Sequence, residues 1–228
     1  MVSRLKFRNE SGEGSAVRDV TFREWLSGLK VSGSNLLVTG EVPETTSAEF
    51  SQTLFGQGRR TRILGLLNPA TPAAESYLPG SPDSPGTQII DRRPDDRGTT
   101  TTCSNVHRPM VDRQTFRSEI VSAIGVHEER NGGFEPAELR LGVDSVELLE
   151  VNDDLVSVGQ FLRGLTALVR GVHGMAHYHL RVPDDDPLVK ELSPLFDARI
   201  ELRKRPGWAE QRWHVPELGE TTHWVELS

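Results

Sequence analysis

Gly40, Thr45, Thr46 and Ser47 stand where a phosphate-binding loop would hold its working residues. They follow the apolar run Leu36-Leu37-Val38-Thr39 and precede a segment of helical spacing. A strand, a tight turn and a helix start form the frame on which backbone N–H groups cradle phosphate. The motif G-x-x-x-x-G-K-[ST] needs Gly at 45 and Lys at 46; this chain has Thr at both and keeps only Gly40 and Ser47. The missing lysine removes the point charge that bridges the β- and γ-phosphates. Glu41 and Glu44 add negative charge to the same loop, and Pro43 removes a backbone donor. Thr46 and Ser47 also suit helix N-caps, with Glu49 three residues after Thr46 completing a capping box.

A second candidate is Asp144-Ser145, which closes the apolar stretch Leu139 to Val143. A carboxylate at the carboxyl end of a buried strand can hold magnesium directly or through water. The alternative is a structural aspartate that caps the turn after the strand. His173, His177 and His179 cluster in sequence, and His177 and His179 share one face of a strand. With Cys103 or His107 they could complete a metal site. Buried or capping histidines are the simpler reading, and no metal is expected. Trp208, Trp213 and Trp224, beside Arg203, Arg205 and Arg212, suit either a partner surface or a cover over the sheet edge. The chain has no G-x-S-x-G elbow, H-E-x-x-H helix or G-x-G-x-x-G loop.

The elements that must position these residues are legible in the periodicity. Residues 1–16 are polar and Gly/Ser-rich and are expected to form a flexible tail before a single domain, 17–228. Phe22, Trp25, Leu26 and Leu29 mark a short helix over Val20–Leu29. Strands are expected at Leu36–Thr39, Arg62–Leu67, Leu139–Val143 and Met175–Leu180. Helices are expected from Ser47 to about Gly58, Asp112 to Glu129 and Asp153 to Val172, with another opened by Asp186-Pro187. Phe116, Ile120, Val121, Ile124 and Val126 lie on or near the inner face of the second of these. The Pro/Gly/Ser and Thr-rich stretch 79–105 is expected to be poorly ordered apart from a short strand at Thr87–Asp91. Ala198–Lys204, Gln211–Val215 and Thr221–Leu227 alternate as a terminal β-meander. The order implies an α/β fold: a mostly parallel sheet with helices on both faces and an antiparallel C-terminal edge.

Composition limits the partners. The net charge of -7 opposes general binding to nucleic acid or anionic membrane. No apolar run approaches the roughly 18 residues that span a bilayer, and the N-terminus lacks the apolar core of a signal peptide. A lone cysteine precludes an intrachain disulfide, so a cytoplasmic location is expected. Lysine occurs only at Lys6, Lys30, Lys190 and Lys204, the remaining basic residues being Arg. That balance suits either a salt-loving archaeon or a high-GC genome.

The order of elements and the segments Val143–Ser145, Phe161–Thr166 and Leu195–Asp197 resemble the RecA/KaiC-like ATPase family, in its degenerate haloarchaeal-type branch. The resemblance covers residues 34–228 and is weakest over 70–112. It implies a RecA-like fold in which Gly40, Thr45, Thr46, Ser47, Asp144 and Ser145 form a vestigial nucleotide site without a working Walker A lysine. The expected function is a catalytically inactive pseudo-ATPase domain without cofactor, acting through an unidentified protein partner in regulation or signalling, with homo-oligomers in view. The alternative is a divergent NTPase that binds ATP and magnesium with Asp144 as its Walker B carboxylate. Such an enzyme would take its cation from Arg59, Arg60 or Arg62, or from a neighbouring copy.

Overall fold

The computed structural model describes residues 12–71, 73–93, 112–149 and 155–227. Along the chain run α1 (Gly12–Ser32), β1 (Ser34–Thr39), α2 (Glu44–Phe55), β2 (Thr61–Leu66) and β3 (Thr87–Asp91). Then come α3 (Arg113–Asn131), β4 (Leu139–Val143), α4 (Leu155–Gly171), β5 (Met175–Leu180) and α5 (Pro187–Leu192). The chain closes with β6 (Ala198–Arg205), β7 (Trp208–Val215), β8 (Glu220–Thr221) and β9 (Val225–Glu226). The strands form one sheet in the order β3-β2-β4-β5-β1-β6-β7-β8, with β9 also on β7. From β3 to β6 every pair is parallel, and from β6 onward every pair is antiparallel. This is the mixed α/β sheet with an antiparallel C-terminal edge that the strand–helix alternation implies.

Alternation along the strands divides the core between two faces. Ile63, Leu141, Val143, Tyr178 and Leu180 point to the side covered by α3, α4 and α5, where Phe116, Ile120, Leu162 and Leu165 meet them. Leu64 and Leu66 point the other way, against Ala48 and Phe55 of α2. Further along that second face, Phe22, Trp25 and Leu29 of α1 pack on Leu36, Val38, Ile200 and Trp213. Burial of both faces is the reason β1 carries the unbroken apolar run Leu36–Val38.

Several boundaries differ from the sequence reading. Helix α1 spans Gly12–Ser32, so residues 12–16 belong to a helix, while 1–11 of the expected tail lie outside the described residues. Strand β3 stands where expected in the stretch 79–105, of which 94–105 lie outside the described residues. In α3, Val121 and Val126 are 45% and 40% exposed, whereas Ala123 and His127 are buried. Phe116, Ile120 and Ile124 are buried, and the helical stripe they define excludes positions 121 and 126.

Asn35 ties the first strand to the helices behind it. Its backbone N–H donates to Asp197 at 2.7 Å, its side-chain amide donates to the Thr166 carbonyl at 3.2 Å, and its carbonyl oxygen accepts from the Tyr178 hydroxyl at 3.1 Å. Asp197 also receives Arg170 at 2.8 Å. Two of the segments singled out in the sequence, Phe161–Thr166 and Leu195–Asp197, therefore fasten β1 to α4 and to the entry of β6.

At the opposite end of β1, Gly40 takes φ 113°, and a Cβ there would stand 2.1 Å from the Leu202 carbonyl oxygen. Neither the conformation nor the space admits a side chain. Gly40→Ala should therefore lower stability by roughly 1–3 kcal/mol, measured as a fall in the urea midpoint.

Candidate functional site

The parallel strands end together, and the residues that follow them build a polar cluster. Register sets Thr39 beside Leu180 and Val143 beside Tyr178. Gly40, Arg181 and Asp144 therefore leave the sheet at one end, the position where open α/β sheets bind ligands.

The β1–α2 connection is only Gly40 to Pro43. Gly40 N–H donates to the Val182 carbonyl at 3.1 Å, and Val42 N–H turns back to the Gly40 carbonyl at 3.0 Å. Helix α2 begins at Glu44 behind Pro43, with no side-chain cap. The capping box expected between Thr46 and Glu49 does not form, because the helix starts two residues before Thr46. The backbone N–H groups of Thr46 and Ser47 both donate to the Pro43 carbonyl, at 2.9 and 3.2 Å. Those are donors a phosphate cradle would need. The side chains of Thr46 and Ser47 are buried and Thr45 points outward. The Ser47 hydroxyl has no hydrogen-bond partner among the described residues.

Glu44 turns inward and fills the mouth of this turn. Its carboxylate pairs with the Arg181 guanidinium, each side chain only 15% exposed, and also accepts from the Tyr77 hydroxyl. Arg181 in turn donates to the Ser145 hydroxyl at 2.8 Å and faces Glu147 at 3.4 Å. Burial lowers the Arg181 pKa and raises that of Tyr77, with Asp144 reinforcing the latter. Burial also pushes Glu147 up to about 7, despite backbone donors that oppose the shift.

Asp144 is fully buried and its oxygens are already engaged. Oδ1 accepts from Leu67 N–H at 2.8 Å, and Oδ2 from Asn68 N–H at 3.3 Å and from the Thr71 hydroxyl. The same hydroxyl lies 3.2 Å from Glu44 Oε1, so it can serve either carboxylate but only one at a time. Burial raises the Asp144 pKa to about 6, and these donors restrain it from rising further. The aspartate thus joins β4 to the turn after β2, as a structural carboxylate would. Carboxylates are in excess here: the Arg181 guanidinium faces Glu44 and Glu147, while Asp144 is held by neutral amide and hydroxyl donors.

Residues 33–202 match a family of unknown function, DUF7504. The chain belongs to that family. The DUF7504 segment holds β1 to β5 and β6 as far as Leu202, and so contains every residue of this cluster, while β7, β8 and β9 lie beyond it. No curated protein matches the chain.

The histidines do not gather into one site. His177 and His179 meet edge to face at 5.5 Å, both buried on β5 beneath α2. The Ser51 hydroxyl lies 2.7 Å from His177 Nε2, whereas neither nitrogen of His179 has a partner among the described residues. Burial lowers both pKa values, that of His179 to about 3. His173 lies before the strand, with its ring on the Val31 carbonyl at 3.1 Å. Cys103 and His107 lie outside the described residues.

Asp184, Glu201 and His214 bring ligand atoms within 4.8 Å of one another, a group the sequence did not suggest. Arginines already hold it: Arg199 pairs with Asp184, and Arg212 with Glu201 at 2.5 Å. Its donor set is that of an ion-pair network closing β6 and β7 over the end of β1. Trp213 is buried against Phe22 and Trp25, and Trp224 lies between Arg203 and Arg212, at 3.8 and 4.5 Å. Trp208 is 45% exposed.

Sequence reasoning placed Asp144, Ser145 and Glu44 at this end but missed Arg181, Glu147, Thr71 and Tyr77. A usable signal existed for Arg181, a charge directly after the apolar strand Met175–Leu180. No spacing rule indicated Thr71 and Tyr77, which reach the site from an irregular stretch.

Breaking a buried pair leaves one charge uncompensated, so Arg181→Met should cost about 3–5 kcal/mol. Adding Glu44→Gln should recover much of that loss, which paired urea denaturation curves would register as a coupling. Asp144 and Glu147 hold protons more tightly folded than unfolded. Their contribution is therefore fully present at acid pH and declines as pH rises through about 6 and about 7. Stability should fall by on the order of 1–3 kcal/mol between about pH 5 and about pH 8, and Glu147→Gln should flatten the upper part of that fall.

Proposed function

We propose that this chain is a catalytically silent RecA/KaiC-like domain that works through protein contacts in regulation or signalling. The observation carrying the proposal is the inward Glu44 carboxylate paired with Arg181 in the turn where a nucleotide's phosphates would lie. A triphosphate would have to displace a carboxylate from its buried counter-ion and would find the Thr46 and Ser47 N–H groups already given to the Pro43 carbonyl. Magnesium would have to replace the amide and hydroxyl donors on Asp144. The strand order supports the family resemblance: a parallel sheet places β5 between the β1 turn and the aspartate of β4.

The chain's net negative charge favours a protein partner over nucleic acid. Exposed Trp208 at the β6–β7 turn supplies an anchor of the kind that interfaces favour. No helix among the described residues is long and apolar enough to cross a membrane. Together with the single cysteine, this supports our placing the domain in the cytoplasm.

A divergent NTPase remains the second reading. It is favoured by the buried, unpartnered Ser47 hydroxyl at the position of a magnesium-ligating residue. Arg59, Arg60 and Arg62 lie at the amino end of β2, so any cation they supply would come from a neighbouring copy.

Titration with labelled ATP and magnesium separates the readings. The silent domain should show no saturable binding that depends on Asp144. Micromolar affinity abolished by Asp144→Asn, with the fold retained by circular dichroism, would overturn it in favour of the NTPase.

A further inference from the structure

The amino end of the sheet carries an excess of positive charge. Arg59 and Arg60 precede β2, Arg62 lies within it, Arg130 ends α3 and Arg140 lies in β4. Among the described residues none of these five has a carboxylate partner, in a chain whose net charge is -7. Elsewhere on the molecule arginines are generally matched: Arg181, Arg199, Arg203 and Arg212 each face a carboxylate.

Two of the five have a structural task. Arg62 donates to the carbonyls of Gly56 and Gly58 at 2.7 and 2.9 Å, and Arg140 to those of Ala137 and Leu54 at 3.1 and 3.4 Å. Arg62 and Arg140 thus satisfy carbonyls at or just past the end of α2, where the helix dipole is negative, and Arg140 also one in the turn before β4. Their charges are nevertheless strained: burial, then Arg60 and Arg62, lowers Arg140 to about 10, and burial, then Arg60, lowers Arg62. Arg59, Arg60 and Arg130 have no such contacts among the described residues. Together with Gly132, Gly133, Phe134, Glu135 and Glu138 they line an open pocket of about 650 Å³.

We infer that this pocket binds a small phosphorylated molecule bearing hydroxyl groups, such as a sugar phosphate. The phosphate meets Arg59, Arg60 and Arg130, whose guanidinium forks match its oxygens. Arg62 and Arg140 add field from behind without leaving their carbonyls. Glu135 and Glu138 supply acceptors for the ligand's hydroxyls, and their charge disfavours a ligand that is anionic throughout. The half-buried Phe134 offers an apolar patch in the lining. The volume falls within the range of small-molecule sites. An anion here relieves the repulsion among Arg60, Arg62 and Arg140, which supplies a driving force absent from the carboxyl-end cluster.

The site is at the opposite end of the strands from Gly40–Ser47 and stands whether or not that turn admits nucleotide. Calorimetric titration of the full chain with ribose 5-phosphate tests it, with inorganic phosphate as competitor. Saturable one-to-one binding, displaced by inorganic phosphate and weakened about tenfold or more by Arg60→Glu, is the expected result. Arg130→Glu, on an exposed helix end, should weaken it similarly, so the test survives if Arg60→Glu misfolds. Asp144→Asn should leave this binding unchanged, which separates it from any nucleotide bound at the other end. No saturable binding up to about 10 mM, or binding indifferent to both charge reversals, would overturn the inference.

Discussion

Glu44 and Arg181 are both withdrawn from water, and neither can be there without the other. Their pairing joins the turn after β1 to the turn after β5, and Tyr77 and Thr71 fasten the irregular stretch after β2 to the same carboxylate. Desolvating an ion pair seldom adds much net stability, because the lost hydration is about as large as the Coulomb attraction. Its effect is to make alternatives expensive: an open turn would leave a buried charge unmatched. The rest of the carboxyl end follows from this constraint, including the hydroxyl of Ser145 held by the same guanidinium.

The close approach of α2 to the sheet depends on a second, steric condition. A Cβ at Gly142 would stand 2.7 Å from the Phe55 ring and 2.8 Å from the His177 imidazole. With hydrogen there, Phe55 and His177 meet edge to face at 4.8 Å, and Ser51 reaches His177. Buried polar groups beneath this helix are therefore held by packing as much as by hydrogen bonds. His179, with neither nitrogen partnered among the described residues, sits between His177 and the Tyr77 ring.

The two ends of the sheet differ in electrostatic character. At the carboxyl end, carboxylates outnumber the guanidinium and take up amide and hydroxyl donors, which ties the cluster to itself. At the amino end, arginines face backbone carbonyls and solvent, and repel one another. Charges that already face partners have less to offer a ligand than charges that face none. That contrast is drawn between the two ends of the parallel strands of a single mixed sheet.

By itself the sequence determined the sheet and its order of elements. Unbroken apolar runs such as Leu36–Val38 suit a strand buried on both faces, and the stripe through Leu155, Leu162 and Leu165 suits a helix against the sheet. It also showed that the turn after β1 has Thr46 where a phosphate-binding loop has lysine, with Pro43 and the acidic Glu44 just before it. Tertiary structure alone decided what occupies that turn. Thr71, Tyr77, Glu147 and Arg181 come from separate stretches, and no local period relates them to Glu44 or to Asp144. The same holds at the other end, where Arg59, before β2, and Arg130, in the last turn of α3, line one pocket. Local patterning records which face is buried; which charges meet depends on where distant turns come to rest.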